Sequence, residues 1–159
     1  MKRGWSNPVA YDLTRTLRRA SVPKAFEHAV PEMPGIYVIY RLGQNNATEA
    51  ILDIGECGPR PNSSRKGLRG RLASGVAHSA SERIAQDVLS GVLTDDLFVV
   101  WREAESKNLA KDTQDALISL FRRDYGRQPR YNTKLEYHAH PEIFESIYTE
   151  VMALIGCSA

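Results

Sequence analysis

The sequence lacks three signals that would decide its class at once. No apolar run approaches the roughly 18 residues that a membrane-spanning helix needs, and the first residues, MKRGWSNPVAYDL, lack the apolar centre of a secretory signal. CxxC pairs are absent and the four histidines are scattered, so no zinc-finger spacing is present. We therefore expect a cytoplasmic protein without a membrane partner, in which the two cysteines, Cys57 and Cys157, are unpaired thiols.

Acidic side chains are absent between Glu56 and Glu82, although the formal net charge of the whole chain is only +2. A first basic cluster falls in this interval: Arg60, Arg65, Lys66, Arg69 and Arg71. A second cluster follows the longest predicted helix: Arg122, Arg123, Arg127, Arg130 and Lys134. Such clusters are typical of surfaces that bind a phosphate backbone, although a solvated protein face explains them equally well.

Residue patterns divide the chain into helices and short strands. β-Branched and aromatic residues predict strands over 35–42, 50–56 and 96–103, and the first two are expected to form a hairpin. Apolar residues at helical spacing predict helices over 8–20, 23–29, from 67 onward, 81–89, 107–125 and 141–155.

The order of these elements predicts an α+β fold rather than a doubly wound parallel sheet. The 159 residues suit a single domain, with an N-terminal helical flank over 1–33, a core over 34–134 and a C-terminal helix within 135–159. Period-two alternation along the second strand places Asp53 on the same face as Ile51 and Gly55.

Short motifs between residues 34 and 132 resemble, in order, those of the GIY-YIG nucleases. They are GIY at 35–37, IG at 54–55, Arg71 in LRGRL, ALI at 116–118, and PRYN ending in Asn132. Each motif is weak by itself. The resemblance depends on their order and on the matching element types between them.

The resemblance implies a small three-stranded antiparallel sheet flanked by helices, here with extra N- and C-terminal helices. It also implies cleavage of DNA with one divalent metal ion, usually Mg²⁺. In that family the GIY tyrosine, here Tyr37, helps to activate water, the arginine, here Arg71, stabilises charge on the phosphate, and a glutamate on the long helix holds the metal. Asn132 would be structural. Phosphodiester hydrolysis requires such a Lewis acid, cationic donor and water-orienting group.

Two positions depart from the family pattern. Asp53 stands where the second motif has a tyrosine, and Gln114 stands where the family has its metal-binding glutamate. A neutral amide is a much poorer magnesium ligand than a carboxylate. The sequence therefore predicts a metal-dependent endonuclease that is inactive or impaired as written. The alternative is a non-catalytic nucleic-acid-binding module that retains the fold.

Three explanations of Gln114 are compatible with the sequence. A glutamate has been replaced, to trap a substrate complex or to allow expression of a toxic nuclease. Alternatively, the glutamine is native in a module that has lost catalysis. In the third explanation, Asp53 supplies the missing carboxylate to a rearranged metal site. Asp115 is a poor substitute because it lies about 100° around the helix from Gln114 and is predicted to face solvent.

Further candidates lie outside the motifs. His78, seven residues after Arg71, is a candidate general base or phosphate ligand. DNA is the expected partner and RNA is a second possibility. The residues predicted to contact nucleic acid are Arg60, Arg65, Lys66, Arg69, Arg130 and Lys134.

Each site residue also has a purely structural interpretation. Tyr37 could be an aromatic residue that fills a core, and Arg71 could be a surface charge on a helix. Asn132, after Pro-Arg-Tyr, suits a turn. His138 is predicted to lie in solvent before the last helix.

Overall fold

A computed structural model of the chain describes residues 4–14, 19–44, 46–58, 67–73, 79–94 and 96–156. Its main sheet has four strands in the order β1 (Val9–Ala10), β6 (Leu97–Glu103), β4 (Gly35–Arg41) and β5 (Ile51–Cys57). All neighbouring pairs are antiparallel, and Tyr37 on β4 lies opposite Gly55 on one side and Trp101 on the other. The predicted α+β class is confirmed. The sheet has four strands rather than three because β1 pairs with β6.

The N-terminal flank is not the helix that we predicted over 8–20. Besides β1, it contains a two-stranded ribbon of β2 (Asp12–Thr14) and β3 (Arg19–Ser21). The Tyr11 backbone N–H donates to Leu97 O at 2.9 Å, and the Tyr11 side chain is fully buried. In a helix, Tyr11 would lie about 200° from Val9 and outside the apolar stripe. Pairing with β6 buries this large side chain, which outweighs the local helical spacing.

The helices further along the chain include all those that we predicted there, most of them with different ends. They are α1 (Ala47–Ala50), α2 (Gly67–Leu72), α3 (Ser79–Leu89), α4 (Lys107–Tyr125) and α5 (Glu145–Leu154), with 3₁₀ helices at Lys24–Ala29 and Pro141–Phe144. Only α1, which lies between β4 and β5, was not expected. The α4 bounds agree with the prediction because the Ser106 hydroxyl accepts a hydrogen bond from Leu109 N, and Gly126 ends the helix at φ 77°.

The sheet lies between two layers. One face packs on α4 and α5, whereas the other packs on α2 and α3. Two apolar side chains at helical spacing, Leu109 and Ile143, are exposed, at 40% and 72%, and each lies in the first turn of its helical segment. His138 is largely buried rather than exposed, since its Nε2 lies 2.8 Å from Asp112 Oδ1. Within the described ranges, no helix is both long and apolar enough to cross a membrane.

Strands β4 and β5 pair as the predicted hairpin, but β5 contains a bulge. Ile39 lies opposite Asp53, whereas Tyr40 lies opposite Ile51, so Leu52 is an extra residue on β5. Ile51 therefore packs towards α4, and Asp53 faces the opposite side of the sheet. The predicted common face of Asp53 and Ile51 is wrong, because the bulge interrupts the period of two.

Candidate active site

A cleft of about 310 Å³ opens beside β5, between α2 and α4. Five of the six catalytic candidates from the sequence line it: Tyr37, Asp53, Arg71, Gln114 and Asn132. Further lining residues include Gly55, Glu56, Lys111, Tyr131, Thr133, Lys134 and Glu136. We refer to this space as the cleft.

Asp53 and Tyr37 form the buried side of the cleft, with exposed fractions of 4% and 2%. Burial raises the pKa of Asp53 to about 6, although the guanidinium groups of Arg71 and Arg83 oppose this shift. Burial and the nearby Asp53 charge raise the pKa of Tyr37 well above its usual value. Asp53 therefore exchanges a proton near neutral pH, while Tyr37 remains a neutral hydroxyl.

The two motif glycines make room for neighbouring groups. The Tyr37 ring lies directly over Gly55, so that a Cβ at residue 55 would overlap Tyr37 Cζ and Oη. A Cβ at Gly35 would overlap the backbone oxygen of Arg102 and the Leu68 side chain. These contacts explain why residues 35 and 55 are glycines, because neither position has space for a Cβ.

Asn132 and Gln114 both bind the backbone of Ile54, at the edge of β5. Asn132 Oδ1 accepts from Ile54 N at 2.9 Å, and Asn132 Nδ2 donates to Ile54 O at 2.8 Å. Gln114 Nε2 donates to the same oxygen at 3.0 Å. Gln114 is therefore oriented with its amide nitrogen towards the strand and its Oε1 away from it.

Lys111 lies beside Gln114 and holds two carboxylates. Its Nζ is 2.6 Å from Glu136 Oε2, 2.8 Å from Asp115 Oδ1 and 3.4 Å from Gln114 Oε1. The Lys111 ammonium lowers the pKa of Glu136, while hydrogen bonds to both carboxylates raise the pKa of Lys111 against the effect of burial. Asp115, predicted to face solvent, is only 20% exposed because it takes part in this cluster.

Neither Lys111 nor Glu136 belongs to a motif of the sequence. Lys111 could have been found, because it precedes Gln114 by three residues and Asp115 by four, and both spacings bring side chains together on a helix. Glu136 lies in an irregular segment that follows α4, where no periodicity indicates the direction of a side chain.

Two buried polar atoms of the cleft lack a hydrogen-bond partner among the described residues. They are Arg71 Nε and Glu56 Oε2. A buried donor that stays unsatisfied costs roughly 1–3 kcal/mol. Both atoms are shielded from the open part of the cleft, so this cost falls on the stability of the chain.

The structure brings some of the predicted nucleic-acid contacts to the cleft and not others. Lys134 lines it, whereas Arg69 donates to Val30 O and pairs with Glu32 at 2.7 Å. Arg130 lies over the Tyr131 ring, outside the lining of the cleft. The candidates that lie outside the described residues are Arg60, Arg65, Lys66 and His78, together with Cys157.

The donors of the cleft do not fit a divalent metal ion at Gln114. Among the described residues, no group of three or more His, Cys, Asp or Glu side chains is arranged to hold a metal ion. Gln114 is neutral, and its Oε1 faces the Lys111 ammonium. Asp53 is buried, and the positive charges of Arg71 and Arg83 already act on it. Hard cations require anionic oxygens that are not already neutralised by a neighbouring cation.

Residues from distant parts of the chain thus meet beside the edge strand β5. Tyr37 comes from β4, Arg71 from α2, Gln114 from α4 and Asn132 from the segment after α4. The function must be inferred from these residues and their geometry. In comparisons with known proteins, no family model matches the sequence, and no curated protein and no solved structure matches it.

Proposed function

We propose that the chain is a GIY-YIG-type endonuclease that acts on DNA phosphodiester bonds and is impaired in metal-dependent cleavage as its sequence is written. One observation carries this proposal: Tyr37, Arg71, Gln114 and Asn132, which belong to four separate motifs, line a single cleft. An accidental set of weak motifs would have no reason to converge in space.

The groups in the cleft suit the chemistry of a phosphodiester. Arg71 lines the cleft, and a guanidinium group is a permanent cation whose N–H donors suit phosphate oxygens. Asp53, with a pKa of about 6, is ionised at neutral pH and can accept a proton from a water molecule. The neutral hydroxyl of Tyr37, on the same side of the cleft, is suited to orient that water.

A second candidate is the non-catalytic nucleic-acid-binding module. The hydrogen bond from Gln114 Nε2 to Ile54 O favours it, because a carboxylate at residue 114 could not donate this bond. The glutamine then has a structural use of its own, as expected for a native residue. In this case Lys134, Arg130 and the basic residues between 60 and 66 would hold the nucleic acid.

A nicking assay separates the two candidates. Supercoiled plasmid is incubated with magnesium and the wild-type chain, Gln114→Glu or the control Gln114→Ala. The endonuclease proposal expects Gln114→Glu to nick faster, because a second uncompensated carboxylate beside Lys111 attracts a divalent cation, whereas Gln114→Ala stays inert. If every variant is inert but binds DNA in a salt-dependent manner, the binding module is favoured. If the wild-type chain does not bind DNA at all, both candidates fail.

A further inference from the structure

Lys111 is the cation nearest to the oxygen of Gln114. Gln114 Nε2 is engaged by Ile54 O, so Gln114 Oε1 is turned towards Lys111 Nζ, at 3.4 Å. Carboxylate oxygens of Asp115 and Glu136 complete the surroundings of this ammonium at 2.8 and 2.6 Å. Three oxygens thus surround one point of the cleft, and the Lys111 ammonium occupies that point.

We propose that Lys111 is the resident cation of the cleft, occupying the place beside Gln114 Oε1 and contributing a phosphodiester-binding charge that does not depend on divalent metal ions. The ligand in this inference, a nucleic-acid phosphodiester, rests on the proposed function. The exclusion of metal ions by Lys111 does not rest on the proposed function, because this exclusion follows from the contacts of the ammonium alone.

The ammonium retains capacity for a ligand. It carries three N–H donors, of which two make short contacts with Asp115 and Glu136. The third has only the long contact with Gln114 Oε1, and the Lys111 side chain is 42% exposed. A phosphate oxygen in the cleft can therefore accept a hydrogen bond from the third N–H without breaking either short ion pair.

Lys111 also explains how a glutamine can occupy residue 114. With an ammonium already bound by two carboxylates, a third carboxylate at residue 114 would leave two negative charges uncompensated in a partly buried cluster. A neutral amide avoids this repulsion and still offers an oxygen to the ammonium. The ammonium of Lys111 and the neutral amide of Gln114 therefore favour each other in this cluster.

Thermal unfolding with manganese tests whether Lys111 excludes a divalent cation. The proteins are the wild-type chain, Lys111→Met, and the control Lys24→Met, which removes an exposed lysine that does not line the cleft. In Lys111→Met the oxygens of Gln114, Asp115 and Glu136 lose their cation and become available to manganese. We expect the Tm of Lys111→Met to rise by about 3 °C at roughly ten times the manganese Kd, with no rise for the other two proteins.

An equal rise in the wild-type chain, or no rise in any of the three proteins, overturns the assignment of Lys111 as the resident cation. Lys111→Gln replaces Lys111→Met if the methionine variant does not fold. It keeps a polar side chain at the surface and removes the same charge.

Fluorescence anisotropy with a labelled DNA duplex tests the ligand. Wild-type affinity is expected to be no higher in magnesium than in EDTA, because magnesium ions compete for DNA phosphates. Lys111→Met is expected to lose about tenfold, and Lys111→Arg is expected to lose less. Wild-type binding that requires magnesium, or equal affinities of Lys111→Met and Lys24→Met, contradicts the inference. If the wild-type chain does not bind DNA, the proposed function and the phosphodiester assignment both fail, while the manganese result still decides whether Lys111 excludes a metal ion.

Discussion

Asn132 pairs with both backbone groups of Ile54, accepting from its N–H at 2.9 Å and donating to its C=O at 2.8 Å. The preceding residue, Tyr131, donates its backbone N–H to Leu52 O at 2.9 Å. Together these bonds cover the edge of β5 as part of a further strand would. The motif asparagine therefore holds the strand that carries Asp53 against the segment that follows α4.

The first prediction concerns this pairing. Asn132→Asp keeps the shape of the side chain but replaces the donor to Ile54 O with an oxygen, which repels the carbonyl. We expect the free energy of unfolding in urea to fall by about 2–3 kcal/mol. The control is Thr133→Ala, at an exposed neighbouring side chain. It should change the free energy of unfolding by less than about 0.5 kcal/mol. Equal stabilities of the two variants would show that the pairing contributes nothing in solution.

The second prediction concerns Gly55 beneath Tyr37. Gly55→Ala places a methyl group where the Tyr37 ring lies, so the ring must move. We expect a loss of about 1–3 kcal/mol in the free energy of unfolding. The loss should be smaller in a Tyr37→Leu background, because the overlapping atoms are then absent, and a double-mutant cycle in urea measures the difference. Independent, additive effects of the two changes would argue against the contact.

Local signals predicted the long helix and part of the cleft. The Ser106 cap, the apolar stripe and Gly126 are all within or beside α4, so its ends could be read from neighbouring residues. Tyr37 and Asn132, which the motifs singled out, both line the cleft. In each case the information is contained in short stretches of sequence.

The rest could not be predicted because it depends on pairing between distant residues. The 9–10 segment forms a strand only because the edge of β6 is available to it. The bulge at Leu52 appears only in the register of β5 against β4. Glu136 approaches Lys111 across 25 positions of chain, and no local pattern marks that ion pair.

The third prediction separates two neighbouring arginines on α2. Arg69 is occupied by Val30 O and Glu32, whereas Arg71 lines the cleft. We expect Arg71→Ala to weaken binding of a DNA duplex about tenfold and to reduce the salt dependence of binding. Arg69→Ala should instead lower the Tm and leave the salt dependence close to that of the wild-type chain.

Anisotropy titrations at several salt concentrations, together with thermal unfolding of both variants, provide the measurement. Arg71→Lys is the conservative variant, and it should recover only part of the affinity, because an ammonium cannot reproduce the fork of a guanidinium. The distinction between the two arginines is lost if Arg69→Ala weakens DNA binding as much as Arg71→Ala does.

The fourth prediction concerns the pH dependence of stability that Asp53 causes. In the folded chain, burial raises the pKa of Asp53 from 3.8 to about 6. Between these values the unfolded chain has released this proton and the folded chain retains it. The unfolded state therefore binds fewer protons, and the free energy of unfolding falls as pH rises through this window. Above about pH 6 both states have released the proton, and the contribution of Asp53 no longer changes with pH.

Asp53→Asn cannot titrate, so it should gain stability relative to the wild-type chain as pH rises from about 4 to about 6. The gain should reach at most about 3 kcal/mol and then remain constant towards about pH 8. Urea unfolding of both proteins at several pH values measures it, and Glu105→Gln, at an exposed carboxylate, is the control with no such trend. A difference between Asp53→Asn and the wild-type chain that is constant over this range, or that shrinks as pH rises, would mean that Asp53 is not the buried proton acceptor of the cleft.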